Sequence, residues 1–232
     1  VPISFLYRQT KQLTINPTYV MKYPIILVCL LLGQLTAFGQ EALRQKSTTK
    51  GLNVGLSGQY AFWNTLNDFN FYDVSQVNPG PGLGLRVGYG FNQRFELALS
   101  ADGAILNHVQ YERNQTVLSH FGLSGRVTLG STTSRFRPFA DLGATLVGAM
   151  SSPISDGRGG EVDLYMGGLG LTAGAGVHYF FAPSFAVSAQ YAGSFGQFNR
   201  NSLSDGRKVP FSTAINTHRA SLGLVWFVKG RR

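Results

Sequence analysis

The sequence predicts an all-β fold: an eight-stranded antiparallel transmembrane β-barrel with short turns at one end and long loops at the other. Three observations carry this prediction. From Gly51 to Val228 apolar side chains alternate with glycine or small polar ones, as in Leu83-Gly84-Leu85-Arg86-Val87-Gly88-Tyr89-Gly90-Phe91. Period two means strands with unlike faces. The apolar face is continuous and almost free of charge, whereas the other face is too glycine-rich and charge-poor for an ordinary solvent face. That is the pattern of a barrel whose outside meets lipid. Finally, the links between strand-like segments alternate between short and long, with an even number of strands.

Composition favours one domain. The 232 residues include 29 Gly, 17 Phe and 10 Tyr, and only 13% are charged, about half the usual globular share. Residues 1–20 look like neither a targeting segment nor a strand and read as an over-extended N-terminus. Residues 21–39 read as a secretory signal: Met21, Lys22, an apolar run from Pro24 to Gly33, then a small-x-small site at Ala37 and Gly39. The run is too short to span a bilayer as a helix. Its removal takes away Cys29, the single cysteine, so no disulfide or cysteine metal site is expected in the mature chain. Removal of residues 1–39 takes Arg8, Lys11 and Lys22 from the 20 basic residues and none of the 11 acidic ones, leaving 17 against 11, a net of +6. For an exported chain that excess points to anionic lipid head groups and away from nucleic acid. Residues 40–50 are expected as a periplasmic N-terminal segment, 51–228 as the barrel and 229–232 as a basic tail. No peptidoglycan-binding domain is expected after it.

Eight strands are expected at 51–63, 81–91, 95–105, 116–130, 136–149, 168–181, 185–195 and 213–228. The short links are 92–94, 131–135 and 182–184. The long links are 64–80, 106–115, 150–167 and 196–212. The turn at 92–94 pairs Tyr89 with Leu97 and Val87 with Leu99. The turn at 182–184 pairs Phe181 with Phe185 and His178 with Ser188. A one-residue slip would exchange the faces, so agreement in two hairpins is informative. Tyr89, Phe91, Phe95, Tyr179, Phe181, Phe185 and Trp226 then gather at the short-turn rim of the lipid face, as an aromatic girdle.

The segment Phe136-Arg137-Pro138-Phe139-Ala140-Asp141-Leu142-Gly143-Ala144 resembles the fifth strand of the small OmpA/OmpX-type outer-membrane barrels. The stretch from Gly174 to Phe185 resembles the hairpin that follows it in that family. The last strand, Ser221-Leu222-Gly223-Leu224-Val225-Trp226-Phe227-Val228, is similar to the signal read by the outer-membrane assembly machinery, with Ser221, Gly223, Trp226 and Val228 at the signal positions. It departs in ending on Val228 where the family has an aromatic, and in the four residues that follow. The resemblance covers 51–228 and implies an integral outer-membrane location in a Gram-negative bacterium. Its implied partners are outer-membrane lipid, lipopolysaccharide and the barrel assembly machinery. It implies no activity, because fold does not fix function.

An eight-stranded barrel is just wide enough for its own side chains to fill. Alternation turns Arg86, Arg126 and Arg219 inward together with Glu96, Asp102 and Asp141, three bases and three acids, alongside His120, His178 and Gln190. Buried charge is costly unless paired, so this set reads as a structural ion-pair network. Arg126 and Asp141 are expected to lie diagonally across their hairpin, with Thr128 facing Arg137. Inward glycines such as Gly84, Gly88, Gly90, Gly170, Gly174 and Gly176 are expected to leave room for water.

Other motifs carry less. The Gly-x-Gly runs at 80–84 and 168–176 are followed by no helix pattern, which excludes a phosphate-binding loop. His178 opposite Ser188 has no acid beside it, and four scattered histidines make no metal site. No cofactor is expected. The first loop is aromatic and acidic (Asp68, Phe69, Phe71, Tyr72, Asp73), and Ser-Asp-Gly-Arg recurs at 155–158 and 204–207 as turn chemistry. The leading expectation is a non-enzymatic structural or surface-interaction protein acting through loops 64–80 and 196–212. Its alternatives are a narrow small-solute channel gated by the interior ion pairs, and a lipid-modifying enzyme.

Overall fold

The computed structural model describes residues 47–64, 77–108, 115–155, 160–208 and 212–228. Eight long strands form the wall: β1 (Gly51–Trp63), β2 (Gly80–Gly90), β3 (Phe95–His108), β4 (Gln115–Thr128), β5 (Phe136–Ser155), β6 (Glu161–Ala182), β7 (Phe185–Leu203) and β8 (Thr213–Phe227). Each pairs antiparallel with its sequence neighbours, and β1 pairs with β8, as in Ser57 opposite Gly223, so the sheet closes on itself. The expected signal segment, the aromatic cluster of the first loop, Asp156 and the basic tail lie outside the described residues.

Alternation sorts every strand into two faces. Leu56, Leu83, Leu142, Leu169, Leu171 and Leu222 are more than 60% exposed, an apolar exterior that only a bilayer would accept. At the short-turn rim Phe185 stacks between Phe181 and Trp226, with centroids 6.2 and 6.1 Å apart, and Phe136 meets Tyr179 at 4.9 Å. Tyr89, Phe91 and Phe95 continue the girdle as exposed rings.

Several expectations need correction. The hairpin at 182–184 carries a bulge: Phe180 faces Ala186 and Ala182 faces Phe185, which leaves Phe181 without a cross-strand partner. Its turn is therefore Pro183-Ser184, and the Phe181–Phe185 contact is ring stacking along the rim. The long links are shorter than expected because the strands run on into them. β5 reaches Ser155, β6 begins at Glu161 and β7 continues to Leu203, so most of 150–167 and half of 196–212 is strand. Within 64–80 the pair Val77–Asn78 ladders with Asn107 and His108. The physical reason is an inversion of amphipathic sense. Toward the long-loop end Phe198, Leu203, Leu164 and Met166 point inward while Asn199, Arg200 and Ser202 lie on the surface. The apolar-outward marker of a membrane strand disappears there although the strand does not.

Two of the inward glycines lie against neighbouring side chains. A Cβ on Gly88 would sit 2.4 Å from Glu96 Oε1, and one on Gly176 would sit 2.5 Å from Phe139 Cζ. These two glycines make space for neighbouring side chains, whereas Gly84 lines an interior cavity.

The described part of the N-terminal segment is a strap across the short-turn mouth. Ser47 N donates to Thr132 O (2.8 Å), Thr48 N to Pro183 O (3.0 Å), and Thr49 Oγ1 to Gln93 O (2.8 Å). Each contact reaches a different turn. Ser47 and Thr49 are buried as a result.

Candidate functional site: a layered barrel interior

The inward side chains form layers. At the short-turn end Phe180, Ala186, Val225 and Phe227 make an apolar cluster. Arg137 is buried beside it, donating to Thr49 Oγ1 (3.3 Å) and to the Gln93 carbonyl, with Phe180 under its guanidinium at 5.9 Å. Sequence reading left Arg137 out of the inward set. Its signal was parity with Asp141, four residues on, which places both on the same face of β5.

Above this lies the first half of the ion-pair network. Arg126 Nε and Nη2 donate to the two oxygens of Asp141 at 2.7 and 2.8 Å, a bidentate pair. The two residues are direct partners and Thr128 faces Phe139, so the expected diagonal register is wrong by two residues. The link from Leu129 to Arg135 is longer than the expected five-residue turn, which moves the register. Arg126 lies 3.7 Å over the Phe139 ring, and its Nη1 donates to His178 Nε2 at 3.0 Å. Gln190 donates to Asp141 (2.8 Å) and accepts from Arg126 (3.2 Å). Arg86 reaches Glu96 at 3.2 Å and Asp141 at 3.6 Å.

The second half centres on Asp102. Its Oδ1 accepts from Gln59 Nε2 (3.1 Å), His120 Nδ1 (3.0 Å) and Arg219 Nη1 (3.2 Å). The other His120 nitrogen meets Thr217 Oγ1 at 2.9 Å, and Arg219 Nη2 donates to Ser194 (3.3 Å). All nine expected network residues therefore gather in two clusters, with three guanidinium groups balancing three carboxylates. Both clusters border a cavity of about 110 Å³.

The outer layer is apolar: Trp63, Leu106, Leu118, Leu164, Phe198 and Ile215 pack together inside the long-loop end of the barrel. Sequence reading placed only polar residues and glycines inward and missed this layer, although the same parity rule points to it.

Two hydroxyl–imidazole arrangements bear on catalysis. His178 does face Ser188, but among the described residues its ring contacts are Arg126, Phe139 (4.5 Å), Phe227 (5.7 Å) and Phe180 (6.0 Å), with no carboxylate. Asp102, His120 and Thr217 are lined up like a carboxylate–imidazole–hydroxyl relay. Thr217 is 1% exposed, however, and Asp102 is shared with Arg219. Of the positions expected to carry the assembly signal, Ser221, Gly223 and Trp226 lie in β8, with Trp226 on the lipid face. Val228 follows the strand and donates its N–H to Leu52 O at 2.7 Å.

A closed antiparallel barrel with a lipid-facing exterior, an aromatic girdle and a paired polar interior defines an integral β-barrel of the outer membrane of Gram-negative bacteria. The chain belongs to the family described as outer membrane protein beta-barrel domain, whose profile matches residues 27–226. Among solved structures it is similar to Neisserial surface protein A, with 15% identity over 77% of this chain and 98% of that one and a TM-score of 0.57. It is also similar to the outer membrane protein OprG from Pseudomonas aeruginosa, with 13% identity over 79% and 99% and a TM-score of 0.53. At these identities the likeness is one of fold. No curated protein sequence matches the chain.

Proposed function

We propose that the protein is a non-enzymatic structural or surface-interaction protein whose contacts are made by the outer end of the barrel. The observation that carries this reading is the filled interior. The ion-pair layer is covered above by Trp63, Phe198 and Ile215, and below by Phe180, Phe227, Arg137 and the strap. A solute passing along the axis would have to displace both apolar layers as well as the paired charges. The outer end is the part free to carry recognition. β5, β6 and β7 run for 20, 22 and 19 residues, against 11 to 15 for the other strands, and so project as a three-stranded ledge. Segments 64–80 and 196–212 border that end, and a surface ligand would be met there. Lipopolysaccharide and outer-membrane lipid surround the apolar belt, and the assembly machinery reads the β8 signal.

A second reading, a narrow channel gated by the ion pairs, draws support from the cavity of about 110 Å³ among Arg86, Asp102, Arg126 and Asp141. Planar-bilayer conductance separates the two. The surface-interaction reading expects the folded protein and its Arg126→Ala variant both to be silent, and binding to cells to change when 64–80 or 204–208 is replaced by a short turn. Discrete openings that change with Arg126→Ala would overturn it in favour of the channel.

A further inference from the structure

One row of the lipid-facing surface breaks the apolar pattern. Gly103 faces Ser119, Ser119 faces Gly148, Gly148 faces Gly167, and Gly167 faces Arg200, so five strands contribute to a single cross-strand line. The row below it is Ala101, Phe121, Leu146 and Leu169, and the row above is Ile105, Val117, Met150 and Tyr165, in the same registers. Phe121, Leu146 and Leu169 on one side, and Ile105, Val117 and Tyr165 on the other, are all exposed. The small row is thus the floor of a groove between two apolar ridges. A cavity of about 510 Å³ sits on its β4–β7 part, lined by Ser119, Gly148 and Gly167, by the lower ridge of Phe121, Leu146 and Leu169, and by Arg200.

The groove is inclined. Gly103 lies eight residues after Phe95, whereas Gly167 lies fifteen residues before Ala182. At about 4.8 Å between strands and a tilt of about 40°, the floor climbs by roughly 9 Å over the three steps from β3 to β6. Its deep end therefore lies among acyl chains and its high end at head-group level. A bulge in β7 sets what stands there: Gly168 faces Phe198 while Gly167 faces Arg200, with Asn199 extra. Bulges at barrel rims re-aim side chains. Arg200 is exposed, makes no ion pair among the described residues, and places its Cβ 3.8 Å from the position a Gly167 Cβ would take. Lys208, also exposed, bridges to Ser202, two residues beyond Arg200.

We propose that this groove is a lipid site: an anionic, phosphate-bearing lipid of the outer leaflet sets its phosphate against Arg200 and lays one acyl chain along the floor toward Gly103. The charge at one end, the apolar ridges along both sides and the descent into the bilayer match the three parts of such a molecule. A zwitterionic lipid would gain the apolar contact without the net charge attraction, and inorganic phosphate would gain the charge without the groove.

Native mass spectrometry of the protein purified from outer membranes tests this, with bisphosphorylated lipid A, its dephosphorylated form and phosphatidylethanolamine as probes. The wild type is expected to retain one lipid A. Arg200→Glu, or removal of the lipid phosphates, should lower retention about ten-fold, the scale of one lost charge-assisted hydrogen bond. Gly167→Leu should lower it by obstruction. Should that variant fail the heat-dependent gel shift that reports a folded barrel, Gly103→Leu decides, since its Cβ would meet nothing closer than 3.8 Å. Equal retention across the variants, equal retention of phosphatidylethanolamine, or displacement by inorganic phosphate would each overturn the proposal.

Discussion

Arg126 and Asp141 face each other directly across β4 and β5 and are joined by two parallel hydrogen bonds of 2.7 and 2.8 Å. Arg86 and Gln190 converge on the same carboxylate, so three residues from three other strands depend on Asp141. Asp141→Ala strands Arg126 without its bidentate partner in a buried site and is expected to destabilise the barrel by about 3–5 kcal/mol. Equilibrium urea unfolding from lipid vesicles measures this. Replacing the pair together, Arg126→Met with Asp141→Leu, should recover most of the loss, because the desolvation of both charges disappears with them.

The strap is tested through Gly90. A Cβ there would sit 1.9 Å from the Thr49 carbonyl oxygen, a contact only chain displacement relieves. Gly90→Ala is expected to lift residues 47–50 off the mouth and expose Arg137 while the wall stays closed. Added protease should then cut within 47–50 in the variant and spare the wild type, with the heat-dependent gel shift unchanged.

Phe198 fills the outer apolar layer and tilts against Trp63 at 5.7 Å. Phe198→Ala is expected to cost about 3–5 kcal/mol, as for a large aromatic removed from any close-packed core. The same unfolding measurement applies. A cost under about 1 kcal/mol would mean that the layer is open to water.

Leu142 is 67% exposed, on the outer face of β5 six residues after Phe136, near mid-depth of the apolar belt. Leu142→Arg is expected to cost about 2–4 kcal/mol in a bilayer. In a detergent that lets the guanidinium reach water the penalty should shrink, and comparing the two media checks the orientation of the wall.

The wall was legible in the sequence because lipid and lumen impose opposite demands on alternate residues. The Val87–Leu99 and Tyr89–Leu97 pairs follow from parity and a short turn alone. Parity also brought the three arginines and three acids to the inside, but it gave no distance along the axis. It therefore could not tell that Arg126 meets Asp141 squarely, nor that Arg86 reaches the same acid. The outer layer was hidden for a different reason: where the surrounding solvent changes from lipid to water the amphipathic sense reverses, and Phe198 and Leu164 look like loop residues to a reading tuned to apolar-outward strands. Arg137 was passed over because nothing local in sequence announces its partners, Thr49 and Gln93, which are 88 and 44 residues away.

Those separations give the strap a place in time. Ser47 can bond to Thr132 only when the β4–β5 turn exists, and Thr48 to Pro183 only when the β6–β7 turn stands beside it. Contacts so distant along the chain form late. Amide protection at residues 47–49 is therefore a timestamp: it begins when the last hairpins have arrived, and a chain halted at any earlier stage of insertion would exchange those protons freely.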